Sequence, residues 1–511
     1  MTVVWHFAKA LPMFYSRMGV YQLEQLKSNT ERTSVKSYIH YIIAAVLFLI
    51  FYFCIPAANG LTEKGVTVLA IMVPVLYLWI AVNTDWVSLV AMAALIMSGT
   101  MTANEVWAGS MGNFIVITII VCMALNAVLT QTGVINKVAV WFITRKVVQG
   151  RPYMFIALYF FSFFLLGTFM EATSLTVIYI GLTQALCKNL KIEKGEPMYT
   201  VLMAGVFWGN AIISAASPIS HVLPLLLIAA VEGKTGITIS YGQWLSVGIP
   251  FEIMMYVFLM LVVRIFWKPD TSKFANYDIE EVKRSAPPLG KEGKLAAVLF
   301  ILVVIAWLFP QFGSSFAPGL SAFLTRCGTC IPPIVAIAIL CIVRLNNKPI
   351  VKFPALVKDI PIGLLVFTAT VTVMGAVINL PDVGISDWIR NLLLPVTSVL
   401  PPFAVMAVLV LGALIMTNFL SNTVTMFLFY SIALSLLSDT GINVIGFVVV
   451  ISLASCMGML TPSASVPAPL FFGPGHITVR NTVKYCTIYI ILTWLGCMFL
   501  IWPLASALIR F

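Results

Sequence analysis

Long apolar runs separated by short polar turns fill the chain from about residue 38 to residue 509. Most of them approach the length of about 20 residues that an α-helix needs to cross a bilayer. The pattern therefore predicts an all-α polytopic membrane protein. Eleven transmembrane spans are predicted, at 38–57, 66–82, 86–98, 113–130, 198–231 (interrupted), 243–266, 295–310, 331–344, 360–379, 443–473 (interrupted) and 482–509.

Two further apolar pieces, 153–186 and 401–437, are too long for one span and carry polar residues at their centres. Arg151 precedes the first and Lys188 follows it, so both of its ends are predicted to be cytoplasmic. The second is flanked by Arg390 and Asp439, and both of its ends are predicted to be external. A segment that begins and ends on one side is a re-entrant hairpin.

The two hairpins complete a topology with a cytoplasmic N-terminus and an external C-terminus in the cell membrane. The predicted parts are a cytoplasmic tail 1–37, a first span 38–60, a first repeat 61–266, a cytoplasmic linker 267–294 and a second repeat 295–511. This topology places most of the basic residues on the cytoplasmic side. All but five of the 30 fall inside, the five being Lys64, Lys234, Arg326, Arg390 and Arg510.

Composition agrees with this class and excludes others. Hydrophobic residues make up 60% of the chain and charged residues 10%, whereas soluble domains carry about a quarter charged residues. The net charge of +11 does not indicate nucleic acid, because the basic residues lie in short loops. The pair Cys327 and Cys330 has no second pair nearby, so no zinc site is predicted. No GxSxG, HExxH or phosphate-loop motif occurs, so no enzyme is predicted.

An internal repeat relates the two halves. The segment GTFMEATSLT (167–176) aligns with TNFLSNTVTM (417–426) at an offset of 250, and Ser217-Pro218 aligns with Thr461-Pro462 at an offset of 244. A repeat of five spans has its ends on opposite sides, so the copies are predicted to be inverted. Inverted repeats with broken helices are typical of secondary transporters, which bind substrate at mid-membrane.

The tripeptide Ser421-Asn422-Thr423 in a re-entrant hairpin, followed by a broken helix with a Thr461-Pro462 turn, resembles the divalent-anion/sodium symporter family of the ion transporter superfamily. The resemblance covers roughly residues 60–511. It implies sodium-coupled import of small organic anions, such as di- or tricarboxylates, by alternating access. It also implies a homodimer whose interface is formed by the first spans of each repeat.

The resemblance also assigns residues. Hairpin amides and hydroxyls would bind substrate carboxylates, and uncharged oxygens would hold sodium, while helix N-termini aim positive dipole ends at an anion. The predicted substrate-binding residues are Asn422, Thr423, Thr173, Glu171, Ser217, Pro218, Thr461 and Pro462. The predicted sodium site is Thr417, Ser421, Asn422 and Leu460, the last through backbone carbonyls extending to Pro462.

The first hairpin departs from the family pattern, because Glu171-Ala172-Thr173 stands where the family has SNT. Three interpretations of Glu171 stay open. It is a fixed anion that strengthens a cation site, a proton carrier that adds H⁺ to Na⁺ as a coupling ion, or a structural residue paired with His221 or a lysine. Glu171 and His221 together form a candidate proton or cation site. If Glu171 is ionised, a monoanion, or binding mainly through the second hairpin, fits better than a tightly held dianion.

Other residues carry weaker hypotheses. Asn126 and Asn379 either line the cavity or bond between helices, and Asn418 either flanks the sodium site or closes the hairpin tip. Glu252 is predicted near the external end of a span, at the interface. The competing function is a cation/proton antiporter or an anion efflux permease of the same superfamily, which Glu171 and His221 would favour. A channel is disfavoured by the two broken-helix repeats.

Overall fold

The computed structural model describes residues 35–509 except 277–278, 286–287, 346, 359, 361, 379, 381, 386, 389–390, 392–399, 439, 462–463 and 466. The predicted tail up to residue 34 lies outside the described residues. So do five individual residues named above: Asn379, Arg390, Asp439, Pro462 and Arg510.

In the first half of the chain, every described element of secondary structure is a helix. Its helices are α1 (Val35–Cys54), α2 (Glu63–Ala81), α3 (Trp86–Met97), α4 (Ala103–Gly109), α5 (Phe114–Gln131), α6 (Val134–Ile143), α7 (Pro152–Gly167), α8 (Ala172–Asn189), α9 (Pro197–Ala216), α10 (Val222–Thr235) and α11 (Tyr241–Leu261). A π-helical turn, Val262–Trp267, continues α11, and short 3₁₀ segments lie at Lys146–Val148 and Ser272–Asn276.

The second half repeats this helical character with one small exception. Its helices are α12 (Ile279–Ser285), α13 (Lys291–Gly313), α14 (Pro318–Cys327), α15 (Ile331–Ile342), α16 (Phe353–Val357), α17 (Ile362–Ile378), α18 (Pro402–Met416), α19 (Asn422–Leu437), α20 (Val444–Ser455), α21 (Ala468–Phe472), α22 (Val479–Gly496) and α23 (Trp502–Leu508), with a π turn at Cys497–Ile501. The exception is an antiparallel pair, β1 (Arg344–Leu345) and β2 (Lys348–Pro349), in which Arg344 lies opposite Pro349.

The helices suit a bilayer because a helix bonds all of its backbone groups internally. Four stretches are long and apolar enough to cross alone: Pro197–Ala216, Tyr241–Trp267, Lys291–Pro310 and Thr482–Leu508. Two pairs pass together with a bend, α5 with α6 at 62° and α14 with α15 at 80°. Shorter apolar helices of 10–17 residues accompany them. The fold is therefore a helical multi-pass membrane protein, and the number of 11 spans stays a prediction.

Two helix pairs lie where the sequence predicted hairpins. Four residues, 168–171, connect α7 to α8, and five residues, 417–421, connect α18 to α19. The first pair is antiparallel, since Tyr159 bonds Thr183 at 2.5 Å and Ser162 bonds Tyr179 at 2.7 Å. Their entry into a membrane from one side stays a prediction.

Two other helices are interrupted. Helix α9 ends at Ala216 and α10 begins at Val222, while α20 ends at Ser455 and the next helix begins at Ala468. Pro218 lies in the first interruption, and a proline has no N–H and disfavours helix in the residue before it. We call residues 217–221 the first break and residues 456–467 the second break.

Glycines bring the helices of the first half into close contact. A Cβ on Gly205 of α9 would collide with the Phe160 ring of α7, and one on Gly248 of α11 would collide with the Ala216 carbonyl. Helix α9 therefore packs closely between α7 and α11, with the Phe160 ring over Gly205 on one side and a direct backbone approach at Gly248 on the other. This packing sets the first hairpin, the first break and α11 beside one another.

Candidate functional site

The tip of the second hairpin is a cluster of uncharged oxygens. Thr417 and Asn418 are buried at the end of α18, and Asn422 begins α19. The Thr417 hydroxyl lies 2.8 Å from Asn422 Oδ1 and also bonds the Ser455 carbonyl at the end of α20. A hydroxyl, an amide oxygen and a backbone carbonyl thus converge where the hairpin meets the second break.

Asn418 ties this tip to the second break. Its Oδ1 accepts the N–H groups of Met459 at 2.9 Å and Leu460 at 2.8 Å, and its carbonyl accepts the Thr461 hydroxyl at 2.5 Å. Its Nδ2 donates to the Leu414 carbonyl at 2.7 Å. Every polar atom of the amide is used, so the residue fixes the tip rather than offering free ligands.

The oxygen cluster around Thr417 has the chemistry of a sodium site. Neutral oxygens from hydroxyls, amides and unwound helix carbonyls are the groups with which transporters coordinate Na⁺. Of the residues predicted for this site, Thr417 and Asn422 are in contact, whereas Ser421 is exposed at the tip. Leu460 lies in the second break with its N–H bonded to Asn418, and Pro462, two residues further on, lies outside the described residues.

The tip of the first hairpin has a different chemistry, because Glu171 is the N-cap of α8. Its Oε1 accepts the N–H of Thr173 at 2.9 Å and its Oε2 accepts the N–H of Ser174 at 2.7 Å. A carboxylate is favoured at a helix N-terminus, where backbone donors and the helix dipole both meet it. The protein's own carboxylate thus fills the anion position of this helix.

The equivalent residue of the second hairpin leaves that position open. Ser421 is the N-cap of α19 and makes no side-chain bond to the first turn. The N-terminus of α19, with Asn422 and Thr423 in its first turn, can therefore present backbone N–H groups to an external anion.

The first hairpin also touches its own break. The Ala172 N–H donates to the Ser220 carbonyl at 2.9 Å. Ser217 is buried and bonds the Tyr241 hydroxyl at 3.1 Å, so its side chain contacts α11 rather than the tip. His221 begins α10 and its Nδ1 accepts the Leu223 N–H at 3.3 Å, which gives this histidine a local capping role.

Glu252 is not at the interface, and that prediction was wrong. It lies near the middle of the 27-residue helical stretch Tyr241–Trp267 and is only 5% exposed. Its Oε2 accepts the Thr168 hydroxyl of the first hairpin tip at 2.8 Å. Hydropathy gave no signal for this position, because a single acid in a long apolar run does not reveal which neighbours cover it.

The second break and the second hairpin contact the helices on either side of the first break. The Cys456 thiol lies 3.8 Å from the Ser214 carbonyl, which joins the start of the second break to the last turn of α9. The Tyr430 hydroxyl of α19 donates to the Ala230 carbonyl of α10 at 2.9 Å. Each hairpin is thus bonded to its own break, and the second break and α19 contact the two helices, α9 and α10, that flank the first break.

The remaining predicted residues fall in the same region. Thr423 is buried in the first turn of α19, and Thr173 is half-buried in the first turn of α8. Pro218 is buried in the first break, and Thr461 belongs to the second. Asn126 is buried on α5, and its Nδ2 has no hydrogen-bond partner among the described residues.

Comparison with known proteins gives the family. The sodium:sulfate symporter transmembrane region matches residues 36–507, which is nearly the whole chain. The chain belongs to the sodium:sulfate symporter family. This result agrees with the resemblance drawn from Ser421-Asn422-Thr423, and the family and the relatives below are transporters, not enzymes.

The similar proteins are distant in sequence. A sodium-dependent dicarboxylate transporter SdcS of Staphylococcus saprophyticus is 22% identical over 482 residues, with 89% of each chain covered. Human solute carrier family 13 member 4 is 21% identical over 287 residues, covering 48% of this chain and 44% of the human one. The YdaH transporter of Alcanivorax borkumensis has a similar fold, with a TM-score of 0.54, 15% identity and coverage of 78% and 86%.

Two contacts of the hairpin tips are not evident from the sequence. Asn418 carries only a weak sequence hypothesis, although it makes three bonds to the second break. The link from Thr168 to Glu252 was not foreseen at all. For Asn418 a signal existed, since it lies within the polar run Thr417–Thr425 inside an apolar segment.

Proposed function

We propose that this family member is a secondary active transporter that imports small organic anions, di- or tricarboxylates in particular, together with sodium. The observation that carries the proposal is the neutral-oxygen cluster of Thr417, Asn422 and the Ser455 carbonyl, beside the open N-terminus of α19. The first suits a sodium ion and the second suits a carboxylate. The sodium-dependent dicarboxylate relative supports the same pairing.

The cargo would bind asymmetrically. Asn422 and Thr423 would receive one carboxylate, while Glu171 keeps its carboxylate on the other helix N-terminus. A second cargo carboxylate near Glu171 would meet a like charge. The cargo would therefore be held more tightly at the second hairpin. A sodium site at the first hairpin would have fewer side-chain oxygens, because Gly167 and Ala172 carry none.

Alternating access would move the hairpin-bearing part of each repeat past a scaffold, in a topology of 11 spans and two inverted repeats. Two groups of contacts support the predicted sides of the loops. Lys64 pairs with Asp382 at 2.7 Å, and both are predicted to lie outside. Lys273 pairs with Glu196 at 2.6 Å and bonds the Lys191 carbonyl at 2.8 Å, all on the predicted cytoplasmic side. Cysteine accessibility from either face tests this topology.

We also propose the homodimer that the family resemblance implies, with the first spans of each repeat at its interface. Crosslinking of purified protein between cysteines introduced on α2 would test it. A chain that migrates as a monomer in detergent and in nanodiscs would contradict it.

The decisive experiment is uptake into proteoliposomes. Labelled succinate, citrate and sulfate would be offered under an inward sodium gradient and, separately, under a proton gradient alone. Asn422→Ala should abolish uptake while the protein stays folded, and Asn391→Ala, an exposed amide that bonds Asn59, is the matched control. Normal uptake by Asn422→Ala would overturn the hairpin site. Proton movement against sodium without any anion would identify an antiporter instead.

A further inference from the structure

Thr168 at the first hairpin tip faces two acceptors with one proton. Its hydroxyl lies 3.0 Å from the Phe164 carbonyl and 2.8 Å from Glu252 Oε2. A carbonyl can only accept, and a threonine hydroxyl has a single hydrogen to donate. If Glu252 is ionised, the single hydrogen is shared between the two acceptors, as it is at Thr370, whose hydroxyl lies 3.1 Å from the Ser88 carbonyl and 2.9 Å from the Val366 carbonyl.

A proton on Glu252 gives each of these two contacts a hydrogen of its own. The carboxyl O–H then donates from Oε2 to Thr168 Oγ1, and the Thr168 hydroxyl donates to the Phe164 carbonyl. Both contacts become hydrogen bonds, and the three oxygens need two hydrogens, which the two hydroxyls supply. The three oxygens therefore accommodate a neutral carboxylic acid with one hydrogen for each contact.

The other carboxyl oxygen leads to the same protonation state. Glu252 Oε1 is buried and has no hydrogen-bond partner among the residues that the structure describes. An ionised carboxylate in an apolar interior is costly unless it is paired, whereas an unpartnered neutral carbonyl oxygen is tolerated far better. At mid-helix in a membrane, a neutral acid is the favoured form.

The surroundings provide no counter-charge. The helices packed against α11 are α7, α9, α13, α22 and α23, together with the two π turns. The titratable groups within α11 and these elements include the phenols and thiols of Tyr256, Tyr159, Tyr489, Cys486 and Cys497, and Tyr241 begins α11. Charged groups on these elements lie towards their ends or in the π turn, namely Lys291, Glu292, Lys294, Arg480, Lys484 and Arg264. No described side chain forms an ion pair with Glu252.

A metal ion is a poorer occupant. The site offers one carboxylate and one hydroxyl, and no group of three or more His, Cys, Asp or Glu residues occurs within the described ranges. A proton needs only the two oxygens that are present.

We propose that Glu252 and Thr168 form a proton-binding site, in which the protonated acid bonds the first hairpin tip to α11. Releasing the proton breaks the O–H bond at Oε2 and leaves an unpaired charge in an apolar interior. That charge opposes docking of the tip on α11. Proton binding and hairpin position are therefore coupled, and H⁺ takes part in a transport cycle whose cargo site is the one proposed above.

Two measurements test this inference, and only one of them depends on the proposed function. The first is infrared spectroscopy of the purified full-length protein at neutral pH. The C=O band of a protonated carboxyl should be present in wild type and in the control Glu232→Gln, and absent in Glu252→Gln. Its presence at equal intensity in Glu252→Gln, or a band that disappears on addition of sodium alone, would overturn the proton site.

The second is the pH dependence of uptake. Glu252→Gln imitates the protonated acid and keeps a donor for Thr168, so the variant should fold and its uptake should no longer depend on pH between acidic and alkaline buffers. Thr168→Val should shift the wild-type pH profile towards acid, because it removes the acceptor of the carboxyl proton. A pH profile of Glu252→Gln that matches wild type would overturn the coupling. If no anion is transported by wild type, the proposed function fails, and the infrared result alone decides the proton site.

Discussion

The two hairpin tips share a backbone plan and differ in chemistry. At the second tip, Thr417, Asn418 and Asn422 form a network of neutral polar groups with the second break. At the corresponding positions of the first tip, Gly167 and Ala172 have no polar side chain, and Thr168 bonds a buried acid on α11. The second tip holds amides and open backbone donors, whereas the first tip holds the Glu171 carboxylate and contacts the Glu252 carboxyl of α11.

This difference indicates a division of roles between the repeats. The second hairpin has the groups that can bind an external anion and cation. The first hairpin carries internal substitutes, namely Glu171 at the anion position and Glu252 in contact with the tip. Under the proposed function, only the second hairpin would keep the full set of cargo ligands.

The largest expected effect comes from Asn418→Ala. It leaves the buried N–H groups of Met459 and Leu460 without their acceptor, at a cost of about 1–3 kcal/mol each. We expect a large drop in the unfolding temperature and loss of uptake. The equivalent change in the first repeat, Thr168→Ala, should cost less, because that side chain accepts no backbone N–H. Equal destabilisation of the two variants would contradict the comparison.

Gly458→Ala should have the next largest effect. The added Cβ would lie 2.9 Å from Asn422 Oδ1 and would collide with the Ala464 carbonyl, and overpacking of this kind costs about 1–3 kcal/mol. Sodium-dependent uptake should fall with the stability of the second break. Gly181→Ala on α8 meets no atom within 4 Å and is the control. Wild-type uptake by Gly458→Ala would show that the close packing of Gly458 against Asn422 and Ala464 is not needed for transport.

Glu171→Ser would make the first tip resemble the second. Removing an anion from the N-terminus of α8 should favour a second cargo carboxylate, and the Michaelis constant for succinate should fall on the order of tenfold. The constant for a monocarboxylate should change little. Glu171→Gln, which removes the charge and keeps a capping oxygen, should act in the same direction. An unchanged preference in both variants would mean that Glu171 does not face the cargo.

The smallest expected effect comes from the Lys64–Asp382 ion pair, which joins the two halves of the chain at a point outside the hairpins. The Lys64 ammonium donates to Asp382 and holds the pKa of that carboxyl below its usual range. The folded pKa is lowered, so the pair stabilises the protein above the unfolded value of about 3.9 and loses this effect as pH falls through the folded pKa. Asp382→Asn should lower the unfolding temperature slightly at pH 7 and not at strongly acidic pH. A difference that persists in acid would exclude the ion pair as its cause.

Local pattern predicted the fold well. The polar runs at 167–176 and 417–426 located both helix connections, and Pro218 located the first break, because backbone preferences depend on neighbours in sequence. Contacts between distant segments were not accessible in this way. Neither the bonds of Asn418 to the second break nor the burial of Glu252 against Thr168 follows from hydropathy, which reports how apolar a helix is but not which face meets which partner.

The close packing of α7, α9 and α11 has a mechanical consequence. With Gly205 against Phe160 and Gly248 against the Ala216 carbonyl, these helices cannot slide past one another without a steric clash. Three glycines with left-handed backbone, Gly150, Gly195 and Gly236, lie where the chain turns before α7, before α9 and after α10. A movement of α9 would therefore carry α7 with it, and α7 leads directly into the first hairpin tip.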